Sequence, residues 1–355
     1  MNSKNTLRII VLVVIAAVGF LSKGKINVSS LANLVGADVH SSEEAIQALG
    51  QEAQNTFHVS QSENTVQTTE DSIAPQETAQ SETTAAQEAA SPAQAEESAQ
   101  NAAKQNGYIA LSGIEIPVCA AKDHAKDHEI RAFKNYKICY RETYEQPEWA
   151  AYLLTKEMLT KNSQRTNDFR PDPKISTGSA TLADYRGSGY SRGHLAPAAD
   201  FAYDSQAISE TFYMSNMSPQ TTDFNGGIWQ ELESQVRYWA KRFSRVYVIS
   251  GPVLEKKASE YKSIGANKVS VPEYYYKAIL APVYKNASDR SSPEDSKSVM
   301  VIGFIMPNEL REDSIWNYAV SIDEIENRTG LDFFSILDDE LEEKLENTVK
   351  TTPWQ

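Results

Sequence analysis

Cysteine is scarce: Cys119 and Cys139 are the only two among 355 residues, and no CxxC pair exists. That argues against a zinc site built on paired thiolates. Basic charge is in deficit, with 34 Lys/Arg against 48 Asp/Glu and a net charge of −14. The deficit is shared, since residues 1–105 carry 5 against 12 and the remainder 29 against 36. A protein that holds nucleic acid tightly through its overall charge shows the opposite balance. No apolar run reaches the roughly 20 residues that a spanning helix needs. The longest, Ile9–Leu21, follows Lys4 and Arg8, which is the pattern of a secretory signal. Ala17-Val18-Gly19 offers a small-residue cleavage site, so residues 1–25 read as a signal peptide or a signal anchor in contact with the membrane. Either way the rest of the chain is expected outside the cytoplasm, secreted or anchored.

Large apolar residues are missing from another stretch. Between Ser60 and Gln105 the chain is Ser, Thr, Ala, Gln and Glu, which cannot bury enough surface to offset the entropy of ordering. Residues 26–105 read as a low-complexity, largely disordered tether. Within it Leu31, Leu34, Val35, Ala45, Ile46 and Leu49 are spaced for a short amphipathic helix of no evident function. Aromatic and aliphatic residues become dense only later, and residues 106–350 read as one domain long enough to bury a core. In an exported protein Cys119 and Cys139 can close a disulfide over a loop of about twenty residues. Two separate buried thiols are the equal alternative.

Three segments have the β-branched and aromatic density of strands: Arg245–Ser250, Tyr274–Val283 and Ser298–Met306, punctuated by Gly251-Pro252 and Pro307-Asn308. Trp149–Leu159 and Glu231–Phe243 read as helices, giving an α+β domain. In the second helix Ile228, Leu232, Val236, Trp239 and Phe243 form one buried stripe. Beside it Asn225, Trp229, Glu233 and Arg237 recur every four residues and climb one edge. Taken alone, that edge is an ordinary solvated face.

Five histidines are present, and His40 and His58 fall in the tail. His124 and His128 have the i, i+4 spacing that holds a metal on a helix, but with no third ligand nearby a solvated loop is the better reading. His194 has better company. It lies in Ser191-Arg192-Gly193-His194-Leu195-Ala196-Pro197. Downstream come Asn216, Pro219 and Gln220 on an apolar-led strand broken at Pro219, then Asn225, Trp229, Leu232 and Glu233 on the helix.

This ordered set resembles the DNA/RNA non-specific endonuclease family, the ββα-metal nucleases that include mitochondrial endonuclease G. The family's Asp-Arg-Gly-His appears as Ser191 to His194, and its Asn-x-x-Pro-Gln and Asn-x-x-x-Trp-x-x-Leu-Glu blocks are both met. Val246–Pro252, Val271-Pro272, Tyr276-Lys277 and Thr329–Phe334 follow in the family's order. The resemblance implies a central, mainly antiparallel sheet carrying a ββα-metal (His-Me finger) catalytic unit. It implies His194 as general base and Asn225 as the direct ligand of Mg2+, with Mn2+ as a substitute. Glu233 would hold metal-bound water, Arg192 and Arg237 would bind the scissile phosphate, and Asn216 would help hold the site. DNA and RNA would be the substrates, and family members are often dimers. A turnover enzyme needs only a locally positive cleft, so the acidic balance is a modest objection.

Those residue types suit the chemistry. A neutral imidazole takes a proton from water near pH 7, and guanidinium matches phosphate through its planar fork of donors. Ser191 departs from the usual Asp, which bears on activity level and on internal against terminal cutting. The family's upstream arginine corresponds to Arg165 or Arg170. Two rival readings are a surface nucleic-acid-binding module with weak catalysis and a phosphodiesterase acting on a different diester.

Overall fold

The computed structural model describes residues 108–118, 127–289, 292 and 295–355. The signal or anchor, the tether with its short helix, Cys119 and His124 therefore lie outside the described residues. Among the described residues no helix is long and apolar enough to cross a membrane.

Seven strands build the main sheet, and every neighbouring pair is antiparallel. Two short pairs stand apart from it, β1 (Ile109–Ala110) with β11 (Asp295–Ser296) and β8 (Ser263–Ile264) with β9 (Val269–Ser270). The seven are β2 (His128–Ala132), β3 (Lys137–Arg141), β4 (Gln146–Thr155), β7 (Arg245–Pro252), β10 (Tyr274–Pro282), β12 (Val299–Pro307) and β13 (Ala319–Val320), in the order β13-β12-β10-β7-β4-β3-β2. Three of these follow the expected segments to within one or two residues. The fold is α+β, as the sequence implied.

The expected helix at Trp149–Leu159 is instead strand β4 continued by one 3-10 turn over Lys156–Met158. Both faces of the sheet are covered here. Ala150, Tyr152 and Leu154 join the core on one side, Trp149 and Ala151 the core on the other. A strand buried on both faces loses its polar alternation, and its apolar run then imitates a buried helix.

On one face lie α2 (Ser205–Glu210), α3 (Thr222–Gly226) and α4 (Ile228–Phe243), following the four-residue α1 (Leu182–Tyr185). Trp239 of α4 meets Trp354 edge-on at 4.9 Å and donates its indole N–H to the Trp354 carbonyl at 2.7 Å. On the other face lie α5 (Ile322–Thr329) and α6 (Asp339–Glu346), packed over Trp149, Ile249, Tyr276 and Phe333.

A small hairpin sits on the α4 side. Its strands, β5 (Ser191–His194) and β6 (Met217–Gln220), pair His194 with Met217 and Ser191 with Gln220. Hydrogen bonds fix it to the sheet: the Ser250 hydroxyl donates to the Leu195 carbonyl at 2.6 Å, the Tyr275 hydroxyl to the Pro219 carbonyl at 2.9 Å, and Ser218 bonds both Gln146 and Tyr275. The helix that follows is broken in two. Gly227 (φ −105°, ψ −116°) separates α3 from α4, and a β-carbon there would lie 2.4 Å from the Asp223 carbonyl oxygen. Asn225 therefore stands on its own short helix, not on one continuous edge with Glu233 and Arg237.

Candidate active site

His194 closes β5 with 8 % of its surface exposed. The rings of Phe169 and Phe212 both stand edge-on to its imidazole, at 5.7 and 5.0 Å. Its Nε2 is buried with no hydrogen-bond partner in the protein. Burial pushes the imidazole pKa down to about 3, and the Arg165 and Arg192 charges act in the same direction. The ring is thus neutral at any working pH. It can accept a proton.

Alternation along β5 puts Arg192 and His194 on one face. The Arg192 guanidinium lies over the Phe169 ring at 3.9 Å, and that of Arg165 over the Phe212 ring at 4.9 Å. Each aromatic neighbour of the imidazole therefore carries a cation on its face. Beside them opens a cleft of about 600 Å³ lined by Arg165, Phe169, Tyr190, Ser191, Arg192 and Asn225 among others. Ser191 and Thr222, the first residue of α3, share a hydroxyl contact of 3.2 Å that ties the strand to the Asn225 helix.

Of the two candidate upstream arginines, Arg165 reaches this cleft. Arg170 binds Asp168 at 2.6 Å and Ser209, and packs over Tyr213 at 3.9 Å. No sequence spacing separates the two.

Below the cleft lies a buried polar group. Arg237 binds Asp200 at 2.9 Å, and Asp200 also accepts from the Tyr152 hydroxyl at 2.8 Å. Lys277, fully buried on β10, points its ammonium at the Trp229 ring, 4.3 Å from the centroid. Trp229 is one turn before Glu233 on α4. Only part of Glu233 reaches solvent, and burial raises its carboxyl pKa against the opposing pull of Lys277. Asp200 and Lys277 escape a reading of spacing alone, though a single lysine inside the apolar run of β10 is a visible signal.

A model of the DNA/RNA non-specific endonuclease family matches residues 119–340. The chain belongs to that family. It is 35% identical over 221 residues to the mitochondrial nuclease EXOG of Mus musculus, covering 59% of this chain and 58% of that protein. Nuclease C1 of Cunninghamella echinulata var. echinulata is 36% identical over 223 residues, covering 58% and 82%. Mitochondrial endonuclease G of Homo sapiens is 31% identical over 216 residues, covering 58% and 69%. A similar solved fold is the crystal structure of the EndoG/EndoGI complex, with TM-score 0.54, 32% identity and coverage of 62% and 90%. The match thus spans less than three fifths of the mouse EXOG nuclease's own length.

Set against the family's motif, the expected residues fall into two groups. Arg192 and Asn225 line the cleft, and His194 lies behind its Phe169 wall, whereas Glu233 is not among the lining residues. Arg237 is not among the residues that line it, because its guanidinium is held by Asp200. Asn216 is fully buried: its Oδ1 accepts from the Ala196 N–H at 2.9 Å, and its Nδ2 donates to the carbonyls of Ala196 and Thr211. Asn216 clamps the exit of β5 and does not face the cleft.

His128 opens strand β2, neither a helix nor the expected solvated loop: its side chain is only 7 % exposed, and its Nε2 meets the Glu148 carboxylate at 3.3 Å. The paired-histidine site would also need His124, outside the described residues. Cys139 is buried in β3, and the disulfide expectation turns on Cys119, which is likewise outside them.

The donor set at the cleft fits a hard cation. Asn225 offers a neutral oxygen in the cleft wall, the Glu233 carboxylate lies outside the lining but feels the Arg165 charge, and among the described residues no cluster of three His, Cys, Asp or Glu ligand atoms forms here. Mg2+ keeps much of its water shell and needs few protein ligands.

Proposed function

We propose that this chain is a divalent-metal-dependent nuclease that hydrolyses phosphodiester bonds of DNA and RNA with little regard for sequence. The observation that carries the reading is His194, a neutral imidazole with an unpartnered Nε2 between two rings, next to a cleft lined by Arg165, Arg192 and Asn225. His194 takes the proton from the attacking water. Arg165 and Arg192 bind the scissile phosphate and offset the charge that grows on it. Asn225 holds Mg2+, or Mn2+ in its place, directly, and Glu233 orients its water shell. When bound, that ion supplies Lewis-acid stabilisation of the phosphate and the leaving oxygen. Arg237 acts from below, fixing Asp200 beneath Glu233.

The test is digestion of single- and double-stranded DNA and RNA with Mg2+ and with EDTA, followed by end analysis of the products. We expect cleavage only with the metal, 5′-phosphate ends, and a loss of about 10²-fold or more in His194→Ala. A His194→Ala variant that cuts as fast as the parent overturns the mechanism.

The site's cations sit on a chain of net charge −14, so binding depends on local charge and weakens steeply with salt. The apolar run Ile9–Leu21 after Lys4 and Arg8 supports export, with the nuclease domain carried outside the cytoplasm behind the N-terminal segment. A fusion of residues 1–60 to a reporter active only outside the cytoplasm checks this. A silent reporter excludes it.

A further inference from the structure

On the sheet face opposite the cleft, Asp323 and Glu326 of α5 and Glu346 of α6 bring three carboxylate oxygens to within 4.8 Å of one another. Acidic clusters on a surface are ordinary. This one holds a group that surfaces do not. Glu346 is 5 % exposed, and its Oε1 is buried with no hydrogen-bond partner. Glu342, one turn earlier on α6, also has a buried Oε1 without a partner.

The charges that act most strongly on Glu346 among the described residues are themselves negative. The groups acting on Glu346 are Glu326, Glu342, Asp323 and Asp332, all carboxylates. Arg328, the basic residue in the last turn of α5, is turned to Glu255 at 2.7 Å. Glu346 is moreover the last residue of α6, where the helix dipole disfavours a negative charge. Burial and these neighbours push its carboxyl up to about 9, so without a cation it keeps its proton.

We propose that Asp323, Glu326 and Glu346 form a second divalent-cation site, suited to calcium, that fastens α5 to α6. Calcium takes six to eight oxygens at about 2.4 Å in adaptable geometry, so its ligands lie at most about 4.8 Å apart. Glu326 already spends one oxygen on the Phe333 N–H at 2.8 Å, which fixes its carboxylate plane. Asp332 is exposed at the rim, leaving room for water to complete the shell. Magnesium, which needs near-ideal octahedral geometry and sheds water reluctantly, suits this set less well.

The experiment uses the full chain carrying Asn225→Ala, so that the cleft's direct ligand is absent. Equilibrium dialysis against calcium at about 1 mM, in the range of extracellular sites, is expected to show one bound ion per chain. Thermal unfolding should shift up by about 3 °C or more with calcium relative to EDTA. Adding Glu346→Gln or Glu326→Gln removes both effects. In EDTA, Glu346→Gln should melt no lower than its parent, because the amide is spared the proton that the buried carboxyl must take up on folding. Absence of bound calcium in the parent overturns the site, whatever the variants do. So does a calcium shift that survives in Glu346→Gln.

Discussion

A β-carbon placed on Gly193 would lie 2.2 Å from Cδ and Oε1 of Gln220. Two parts of the family signature, the glycine before His194 and the glutamine after Pro219, are thus one close contact between paired strands. Only a residue without a side chain fits between them.

Gly193→Ala should therefore cost about 1–3 kcal/mol through forced movement of the hairpin. It should lower activity further, because the next residue along is His194. Thermal unfolding and nucleic-acid cleavage would measure both. Trimming the partner in Gly193→Ala/Gln220→Ala should recover part of the stability, and a strictly additive double variant would count against the contact.

The depressed imidazole of His194 sets a pH dependence with a definite sign. Its folded pKa of about 3 lies below the unfolded value of about 6.5, so protonation favours the unfolded chain. The stability it contributes is complete above pH 6.5 and fades as the pH falls toward 3. Urea unfolding at pH 7.5, 5.5 and 4 should show the parent losing more stability than His194→Gln. Equal losses would mean that the ring is not held neutral.

Arg165 and Arg170 make a paired test. Arg165→Ala should reduce kcat/KM by about 10- to 100-fold, the worth of a charged hydrogen bond to phosphate. Arg170→Ala should stay within about twofold in activity and lose about 1 kcal/mol of stability, since its partners are Asp168 and Ser209. The reverse ranking would show that the cleft has been assigned to the wrong arginine.

Trp354 is fully buried against Trp239 and Phe243 of the helix that carries Glu233. Trp354→Ala should cost about 3–5 kcal/mol, read as a lower midpoint in chemical denaturation. A midpoint within error of the parent would show that this ring does not hold the helix.

Much of this was legible in the sequence where one physical signal dominated. The stripe from Ile228 to Phe243 is a helix because one face alone is apolar, and β7, β10 and β12 are dense in β-branched and aromatic residues between turn formers. His194 and Asn225 were found through an ordered motif, not through periodicity. What escaped needs three dimensions. Strand β4 is covered on both faces, so its pattern could not be told from a helix. The kink at Gly227 depends on a contact with the Asp223 carbonyl. Asp200 diverts Arg237 from 37 positions away, and Asp323 and Glu346 are brought together only when two separate helices pack on the sheet.

Lys277 also bears on how the sheet assembles. Along β10 it shares a face with Tyr275 and Ile279, while Tyr276 and Ala278 belong to the opposite core. Its pairing with Ser250 on one side and Phe304 on the other is a matter of register. A slip by a single residue would drive an ammonium into hydrocarbon beside Phe333 and strand a phenol among carboxylates. The lysine thus proofreads the sheet: a chain that has paired its strands wrongly cannot be both stable and active.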